Sequence, residues 1–285
     1  MTEAALSEVD FTTAGLAVSL RDVTKVYDNG VMALGPFDLR VRKGEFVSLL
    51  GPSGCGKSTA LRIIAGLAAP TSGKVQVSRH EGASQPGQAL PAQIQPSRIQ
   101  ASHAIGFVFQ EPTLMPWASV RENVRLPLKL AHVPAADSEP RIMEALTRVG
   151  LAEFADSYPR ELSGGMKMRV SLARALVTDP DILLMDEPFA ALDEITRFHL
   201  NNDLLTLWRN LNKTVIFVTH SVFESVYLSQ RVVVMTRRPG RIGAEIAIDA
   251  PEPRGEEFRT SAAYGEYCRE VSAALAPSYS GQALL

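Results

Sequence analysis

The chain has 285 residues, of which 46% are hydrophobic and 21% are charged, and its formal net charge is −2. This length allows one large α/β domain or two smaller domains with a substantial core. The near-neutral charge argues against nucleic acid as the main partner, because binding to a phosphate backbone usually requires a concentrated positive field. No stretch approaches about 18 uninterrupted apolar residues, so the sequence predicts no membrane-spanning helix.

The N-terminal residues and the cysteines indicate the cellular compartment of the protein. Residues 1–10 are acidic and lack both the basic and the apolar region of a signal peptide. Cys55 and Cys268 lie far apart in the sequence, which favours a reducing compartment over a disulfide. We therefore expect a cytoplasmic protein.

The first elements have the pattern of antiparallel strands. Residues 16–23 and 37–41 alternate apolar and polar side chains around a turn at 28–30, and a further strand is predicted near 73–78. Residues 78–103 are rich in Gln, Pro, Ser and Ala. Because loops beyond about 12–15 residues are uncommon in compact domains, we expect an exposed insert there, most simply a solvated loop without a role.

Residues 51–58 read Gly-Pro-Ser-Gly-Cys-Gly-Lys-Ser and match the phosphate-loop pattern G-x-x-x-x-G-K-S/T at every fixed position. An apolar run precedes the loop and a helical pattern follows it, which is the context that the motif requires. The glycines allow backbone N–H groups to surround a phosphate chain, and the helix N-terminus attracts the same anion. Lys57 would reach the β- and γ-phosphates, and Ser58 would bind Mg²⁺. An ordinary glycine-rich turn is the alternative.

The nucleotide-binding residues predicted at this loop are Gly51, Pro52, Ser53, Gly54, Cys55, Gly56, Lys57, Ser58 and Thr59. The loop occurs once, so the chain is expected to carry a single nucleotide-binding unit.

The rest of the chain alternates helices with apolar strands. A helical stretch at about 111–178 is expected to form its own subdomain, and within it residues 138–150 have a cap-type Ser138, an early Pro140 and a closing Gly150. Strands are predicted at 105–109, 182–185, 214–218 and 231–235, with helices at 165–177, 196–212 and 222–228. This alternation predicts a parallel sheet covered on both faces.

Two adjacent carboxylates, Asp186 and Glu187, end the apolar strand at 182–185. If the parallel sheet brings them beside the phosphate loop, Asp186 would hold Mg²⁺ through water. Glu187 would then polarise the attacking water, since hydrolysis needs a base within hydrogen-bond reach of that water. The alternative is an acidic turn at the end of a strand.

A second glycine-rich helix start, Leu-Ser-Gly-Gly, lies at 162–165. Ser163 is either a helix cap or, with the N–H groups of Gly164 and Gly165, a second phosphate ligand. Since one nucleotide already has its loop, the second reading suggests that two chains share each nucleotide. Three further candidates are weak individually and are by default structural residues: Tyr27 beside a turn, and Gln110 and His220 after strands.

Together these motifs resemble the ATP-binding-cassette (ABC) ATPases, from about residue 18 to residue 242. The resemblance implies an α/β fold, a P-loop NTPase ABC cassette with an antiparallel β subdomain and a helical signature subdomain. It identifies the Walker A loop at 51–59, the Q-loop residue Gln110, the signature at 162–165, Walker B at 182–186, the catalytic Glu187, the D-loop at 190–193 with Asp193, the switch residue His220 and the adenine-stacking Tyr27. It divides the chain into a flexible N-terminus (1–15), a cassette (16–242) and a C-terminal extension (243–285).

The resemblance also implies ATP and Mg²⁺ as cofactors and a homodimer that encloses two ATP molecules. One chain would contribute Lys57 and the Mg²⁺ ligands Ser58, Gln110 and Asp186. The same chain would contribute the catalytic residues Glu187 and His220, with Gln110 in both groups. Its partner would contribute Ser163 and Gly165, and Gly164 and Asp193 are further nucleotide-binding candidates.

A finer resemblance, at 110–117, 186–197 and 220–229, is to importer subunits of the nitrate/sulfonate/taurine-type group, some of which serve pyrimidine-precursor uptake. It implies an ATPase peripheral to the cytoplasmic face of the membrane, a membrane permease as partner, an indirect role for a solute-binding protein and no nucleic acid. Leu114, Met115 and Trp117 would contact the permease, or else form a small subdomain core. The alternatives are a soluble ABC ATPase acting on nucleic acid or ribosomes, and an exporter ATPase. Met166, where many cassettes have Gln, and the insert at 78–103 depart from the common pattern.

Overall fold

The computed structural model describes residues 15–78, 105–251 and 253–279. Apart from residues 15 and 78, the predicted flexible N-terminus (1–15) and the predicted insert (78–103) lie outside the described residues.

The described residues form two sheets. Their strands are β1 (Leu16–Val26), β2 (Met32–Arg42), β3 (Phe46–Leu50), β4 (Ser72–Val77), β5 (Ile105–Val108), β6 (Ile182–Asp186), β7 (Thr214–Thr219), β8 (Arg231–Met235) and β9 (Ile242–Ala247). The α-helices are α1 (Lys57–Ile64), α2 (Val120–Leu130), α3 (Ala135–Arg148), α4 (Gly164–Leu176), α5 (Glu194–Leu211), α6 (Val222–Leu228), α7 (Glu256–Arg259) and α8 (Ala262–Leu275).

The smaller sheet has the strand order β2-β1-β4 and is antiparallel throughout. Its apolar side chains alternate along the strands, so that Val18, Leu20, Leu39 and Val41 are all fully buried. The sheet confirms the antiparallel strands predicted from the same alternation.

The larger sheet has the order β5-β6-β7-β3-β8-β9, and its first five strands are parallel. Every residue of β3, β6 and β7 is buried, as expected for strands covered on both faces. On β3, Phe46 and Leu50 pack into one core with α4, α5, α6 and α8, while Val47 and Leu49 pack into another with α1 and the smaller sheet. The predicted parallel sheet is confirmed.

Helix α3 corrects one boundary. The sequence pattern places Ser138 at the helix cap, but α3 begins at Ala135, and Pro134 is the N-cap. The Ser138 hydroxyl instead donates to the carbonyls of Pro134 (2.9 Å) and Val133 (3.3 Å), one turn earlier. The end of the helix agrees with the prediction, because Gly150 follows it with a left-handed φ of 70°.

The C-terminal residues belong to the main sheet and its core. The boundary expected at residue 242 falls at the first residue of β9, which pairs antiparallel with β8. Helix α8 packs against α6 and β8, and Phe258 and Val271 lie in the same apolar core as β3. The described part of 243–285 is therefore continuous with the cassette.

Among the described helices, none is both long enough and apolar enough to cross a membrane.

Candidate nucleotide-binding site

The phosphate loop connects β3 to α1 at the carboxyl edge of the larger sheet, where ligands bind in open α/β sheets. The Lys57 side chain is only 4% exposed, and its ammonium donates to the carbonyls of Gly51 (2.9 Å) and Pro52 (3.1 Å). The Nζ atom also lies 3.5 Å from Oε1 of Glu187. The lysine is thus held inside the curve of the loop rather than extended into solvent.

Two glycines give the loop its curvature. Gly54 and Gly56 have φ values of 72° and 114°, a region that other residues rarely adopt. A Cβ on Gly56 would also lie 2.7 Å from the carbonyl oxygen of Ala33. Cys55 between them has a buried side chain, and burial raises the pKa of its thiol, against the opposing effect of the nearby Lys57. Cys55 therefore contributes its backbone, and not its thiol, to the loop surface.

Ser58 and Asp186 lie side by side, although 128 residues separate them in the chain, and the Ser58 hydroxyl donates to Oδ1 of Asp186 at 2.8 Å. Burial raises the pKa of the Asp186 carboxyl, and the Ser58 hydrogen bond and the charges of Arg62 and Lys57 oppose that rise. A hydroxyl beside a carboxylate is an oxygen pair of the kind that Mg²⁺ binds. No group of three or more His, Cys, Asp and Glu residues suited to a metal occurs in the described ranges. Mg²⁺ at this pair would take its other ligands from water, from phosphate or from Gln110, which lines the same cleft.

Glu187 lies between Lys57 and His220. Its carboxylate lies 3.5 Å from the ammonium of Lys57 and 3.5 Å from Nδ1 of His220. The backbone at Glu187 has a φ of 47°, a left-handed conformation that is strained for a non-glycine residue, and its N–H donates to the carbonyl of Val218. This strained turn at the end of β6 directs the carboxylate toward the phosphate loop.

A cleft of about 440 Å³ opens over the loop, a size suited to a small ligand. Tyr27 lines one side, 37% exposed, and its hydroxyl lies 3.2 Å from that of Thr59. The other residues that line the cleft are Asn29, Val31, Ala33, Ser53, Gly54, Gly56, Lys57, Ser58, Thr59, Gln110, Glu187 and Arg238. An exposed aromatic ring beside a phosphate loop can stack on a nucleobase.

Sequence reasoning missed Arg238. Its guanidinium donates from Nε (3.1 Å) and from a terminal nitrogen (2.9 Å) to the carbonyl of Gly54, in the phosphate loop. Only a weak signal preceded it, a basic pair before a Pro-Gly turn between two strands. The contact spans 184 residues and no local pattern indicates it.

Gly51, Pro52 and Cys55 of the loop, and Asp186 and His220, which contact Ser58 and Glu187, do not line the cleft themselves, and four other candidates belong to neither group. Ser163, Gly164, Gly165 and Asp193 are not among its lining residues. The Ser163 hydroxyl accepts from the N–H of Met166 and caps α4, which is the structural role considered for it. Asp193 caps α5 by accepting from the N–H of Thr196, and this hydrogen bond lowers the pKa of the Asp193 carboxyl.

A phosphate loop with an adjoining Asp–Glu pair at the carboxyl edge of a mostly parallel sheet defines the class of P-loop nucleoside triphosphatases. The profile of one family in this class, described as ABC transporter, matches residues 34–190. The chain belongs to the ABC transporter family, and the predicted family, cassette fold and ATPase activity are confirmed.

Several relatives resemble the chain over most of its length. It is 46% identical over 257 residues to an uncharacterized ABC transporter ATP-binding protein of Methanocaldococcus jannaschii, covering 89% of each chain. It is 40% identical over 259 residues to the aliphatic sulfonates import ATP-binding protein SsuB of Bacillus cereus, covering 90% of this chain and 94% of that one.

Solved structures give the same result for the fold. CbiO1 of Clostridium perfringens, described as part of the ABC transporter complex cbiONQ, has a TM-score of 0.70 and 28% identity, with 81% of this chain and 88% of that chain covered. The dimeric ABC transporter cassette MJ0796 has a TM-score of 0.67 and 33% identity, with 82% and 100% covered. MJ0796 has also been solved in a post-hydrolysis state bound to ADP and Pi.

Proposed function

We propose that the chain is the ATP-hydrolysing subunit of an importer for a small solute, with aliphatic sulfonates and similar compounds such as taurine and nitrate as the first candidates and pyrimidine precursors as the second. The observation that carries the proposal is the 40% identity to a sulfonate importer subunit over 94% of its length. The cleft beside Lys57 supplies a site for the ATP that such a subunit consumes.

The predicted site residues in and beside the cleft have proposed roles. Lys57 binds the β- and γ-phosphates, together with the N–H groups of the loop from Gly51 to Thr59, and Tyr27 stacks on adenine. Ser58, Asp186 and Gln110 would hold Mg²⁺, which neutralises phosphate charge when bound.

The proposed catalytic step is the attack of water on the γ-phosphate. Glu187 accepts a proton from that water, and His220, whose ring already lies 3.5 Å from the Glu187 carboxylate, orients the γ-phosphate. Gln110 joins the site from the end of β5 and would respond to movement of the helical subdomain.

We propose further that two copies of the chain assemble head to tail. Support comes from the placement of Ser163, Gly164, Gly165 and Asp193 outside the cleft of their own chain, and from the dimeric cassette that the chain resembles. In the dimer, the N-terminus of α4 would face the ATP held by the partner subunit, with Asp193 beside it. ATP then bridges two surfaces, and hydrolysis weakens the bridge, which makes the association a two-state switch.

A membrane permease is the proposed partner, with the chain attached peripherally on the cytoplasmic face and a solute-binding protein acting through the permease. Support comes from cbiO1, which is part of a transporter complex, and from exposed apolar side chains on the helical subdomain. Trp117 is 77% exposed, whereas Leu114 and Met115 are partly buried, so Trp117 offers most of the apolar surface.

The catalytic part is tested with Glu187→Gln, which keeps the shape of the side chain and removes its basicity. We expect this variant to bind fluorescent ATP with unchanged affinity, to hydrolyse ATP at least about 100-fold more slowly, and to accumulate as a dimer in size-exclusion chromatography with ATP. Glu266→Gln, on exposed α8, is the matched control and should behave as the unmodified chain. Normal turnover by Glu187→Gln would remove Glu187 from the catalytic role.

The transport part is tested in cells that lack the chromosomal copy. The tagged chain is purified from detergent-solubilised membranes, and the co-purifying proteins are identified by mass spectrometry. The complemented cells are then assayed for uptake of labelled taurine, an alkyl sulfonate, nitrate and a pyrimidine precursor. We expect a multi-spanning permease, and uptake of one solute that Glu187→Gln abolishes. Recovery of ribosomes or DNA without a permease would contradict the importer.

A further inference from the structure

Two segments adjoin the candidate site without lining it: the D-loop at 190–193, and the segment Thr219–Ser221 that contains His220. Both follow strands of the larger sheet, β6 and β7. Two charged side chains lie between them, Arg197 on the first turn of α5 and Glu224 on the first turn of α6.

Glu224 fixes the backbone on both sides of His220. Its Oε2 accepts a hydrogen bond of 2.5 Å from the hydroxyl of Thr219, the residue before the histidine. The same hydroxyl accepts from the N–H of Ser221, the residue after it, at 3.0 Å. The Ser221 hydroxyl in turn accepts from the N–H of Glu224. This closed ring of hydrogen bonds sets the direction in which His220 leaves the sheet.

Arg197 connects Glu224 to the D-loop. Its terminal nitrogen donates to the carbonyl of Leu192, inside the D-loop, at 3.0 Å. Its Nε lies 3.6 Å from Oε1 of Glu224, and neither of these two buried atoms forms a hydrogen bond among the described residues. The two atoms are therefore related mainly by charge. Separating the two charges is costly mainly for Glu224, whose side chain is 9% exposed, because its charge would remain without a partner in a medium of low dielectric.

We propose that Arg197 and Glu224 are positioning residues for ATP hydrolysis that couple the D-loop to His220, so that a displacement of Leu192 reorients the histidine against Glu187. The inference rests on the proposed function, in which the D-loop faces the partner subunit and His220 faces the γ-phosphate. Arrival of the second cassette would then act on the catalytic carboxylate through a route of four side chains, Arg197, Glu224, Thr219 and His220. Neither Arg197 nor Glu224 touches the cleft itself.

The test compares Arg197→Met, Glu224→Gln and the double variant with the unmodified chain. We measure kcat and KM for ATP hydrolysis, the affinity for fluorescent ATP and the melting temperature, with all activities taken well below the lowest melting temperature. Each single variant should lower kcat about tenfold or more, since displacement of a group away from the chemistry can cost up to about 100-fold. The KM and the affinity should stay within about twofold.

The double variant decides whether the two residues act together. If they do, its kcat equals that of the slower single variant within about twofold, because the second change removes a coupling already lost. Arg197→Lys keeps the charge and should recover part of the rate. Glu224→Gln keeps the shape of the side chain, and the double variant leaves no unpaired buried charge. The kcat values of these two variants can therefore be compared even where Arg197→Met is too unstable to assay.

Arg169→Met is the matched control, since Arg169 is about as exposed as Arg197 (31% and 28%) and its ion pair, 2.6 Å to Asp203, joins α4 to α5 away from the histidine. Three results would overturn the proposal. They are single variants that keep half the normal kcat or more, losses of kcat that multiply in the double variant, and an equal loss of kcat in Arg169→Met. Glu187→Gln is assayed in parallel. If it is inactive while the Arg197 and Glu224 variants are normal, only this inference fails; if it turns over normally, the proposed catalytic role of Glu187, on which the inference rests, fails.

Discussion

Replacing Arg254 by methionine tests whether the C-terminal residues hold the catalytic domain together. Arg254 is 5% exposed, and one of its terminal nitrogens donates to the carbonyls of Ser229 (2.7 Å), Tyr227 (2.9 Å) and Val226 (3.3 Å). These carbonyls end α6, and the last carbonyls of a helix have no partner within it. Arg254 therefore caps, from a distant part of the chain, the helix that begins just after His220.

The expected loss in the free energy of unfolding follows from these hydrogen bonds. One terminal nitrogen carries two protons, so the two short bonds count fully and the long one adds little. Hydrogen bonds to a charged group contribute about 1.5–3 kcal/mol each, which gives roughly 3–6 kcal/mol for the pair. Methionine fills part of the volume but leaves the carbonyls without a donor. We expect the free energy of unfolding to fall by about 3–5 kcal/mol, within the range for the two hydrogen bonds.

Urea unfolding measures this loss. Trp208 is a suitable fluorescence probe because its ring packs edge-to-face against the buried Phe46 at 5.6 Å, and circular dichroism gives an independent transition. Arg269→Met is the control: Arg269 is 73% exposed, and its 4.0 Å ion pair on α8 should contribute less than about 1 kcal/mol. A loss below about 1 kcal/mol in Arg254→Met would refute the argument that this arginine is the cap of α6.

Three further outcomes are expected. Lys57→Ala should weaken binding of fluorescent ATP by roughly 10–100-fold, the equivalent of one charged hydrogen bond, and unchanged affinity would contradict the phosphate-loop assignment. Gly240→Ala should lower both ATP affinity and melting temperature, because its Cβ would lie 2.1 Å from the carbonyl oxygen of Cys55, whereas Gly255→Ala, with no atom within 4 Å, should change neither. Alkylation of Cys55, followed by mass spectrometry, should be slower in the folded than in the unfolded chain, and its rate should level off at a higher pH in the folded chain, since burial raises the pKa of the thiol; a plateau at the same or a lower pH than in the unfolded chain would contradict this.

The sequence predicted most of the fold because its main strands are buried on both faces. A buried parallel strand is a continuous apolar run, and the predicted bounds of α6 and β8 coincide with those observed. Strand β9 was missed because its sequence, Ile-Gly-Ala-Glu-Ile-Ala, has only two large apolar side chains and lies at the sheet edge, where a single residue is buried. The start of α3 was misplaced because Ser138 has the chemistry of a cap, while the true N-cap, Pro134, forms no side-chain cap bond.

The candidate site, too, could be predicted from the sequence only in part. Ser58 and Asp186 could be placed together from topology alone, because both follow parallel strands whose carboxyl ends meet at one edge. Arg238, Arg197 and Glu224 could not be placed in that way. Arg238 and Arg197 contact backbone carbonyls of other elements, and Glu224 contacts Arg197 and the Thr219 hydroxyl. An arginine in solvent has the same local sequence as one that contacts a loop. Such contacts depend on how segments that are remote in the sequence pack together. The hydrophobic periodicity of the local sequence does not predict them.

The phosphate loop itself depends on residues that the motifs do not include. The Gly54 carbonyl is held by Arg238, and Gly240 packs directly on the carbonyl of Cys55. The turn that carries both residues joins β8 to β9, and the Ser278 hydroxyl donates to the carbonyl of Met235 at the end of β8. The family profile ends at residue 190, whereas relatives such as SsuB align over 90% of the chain. The longer alignment corresponds to the physical unit, because the geometry of the loop is completed by residues beyond 235.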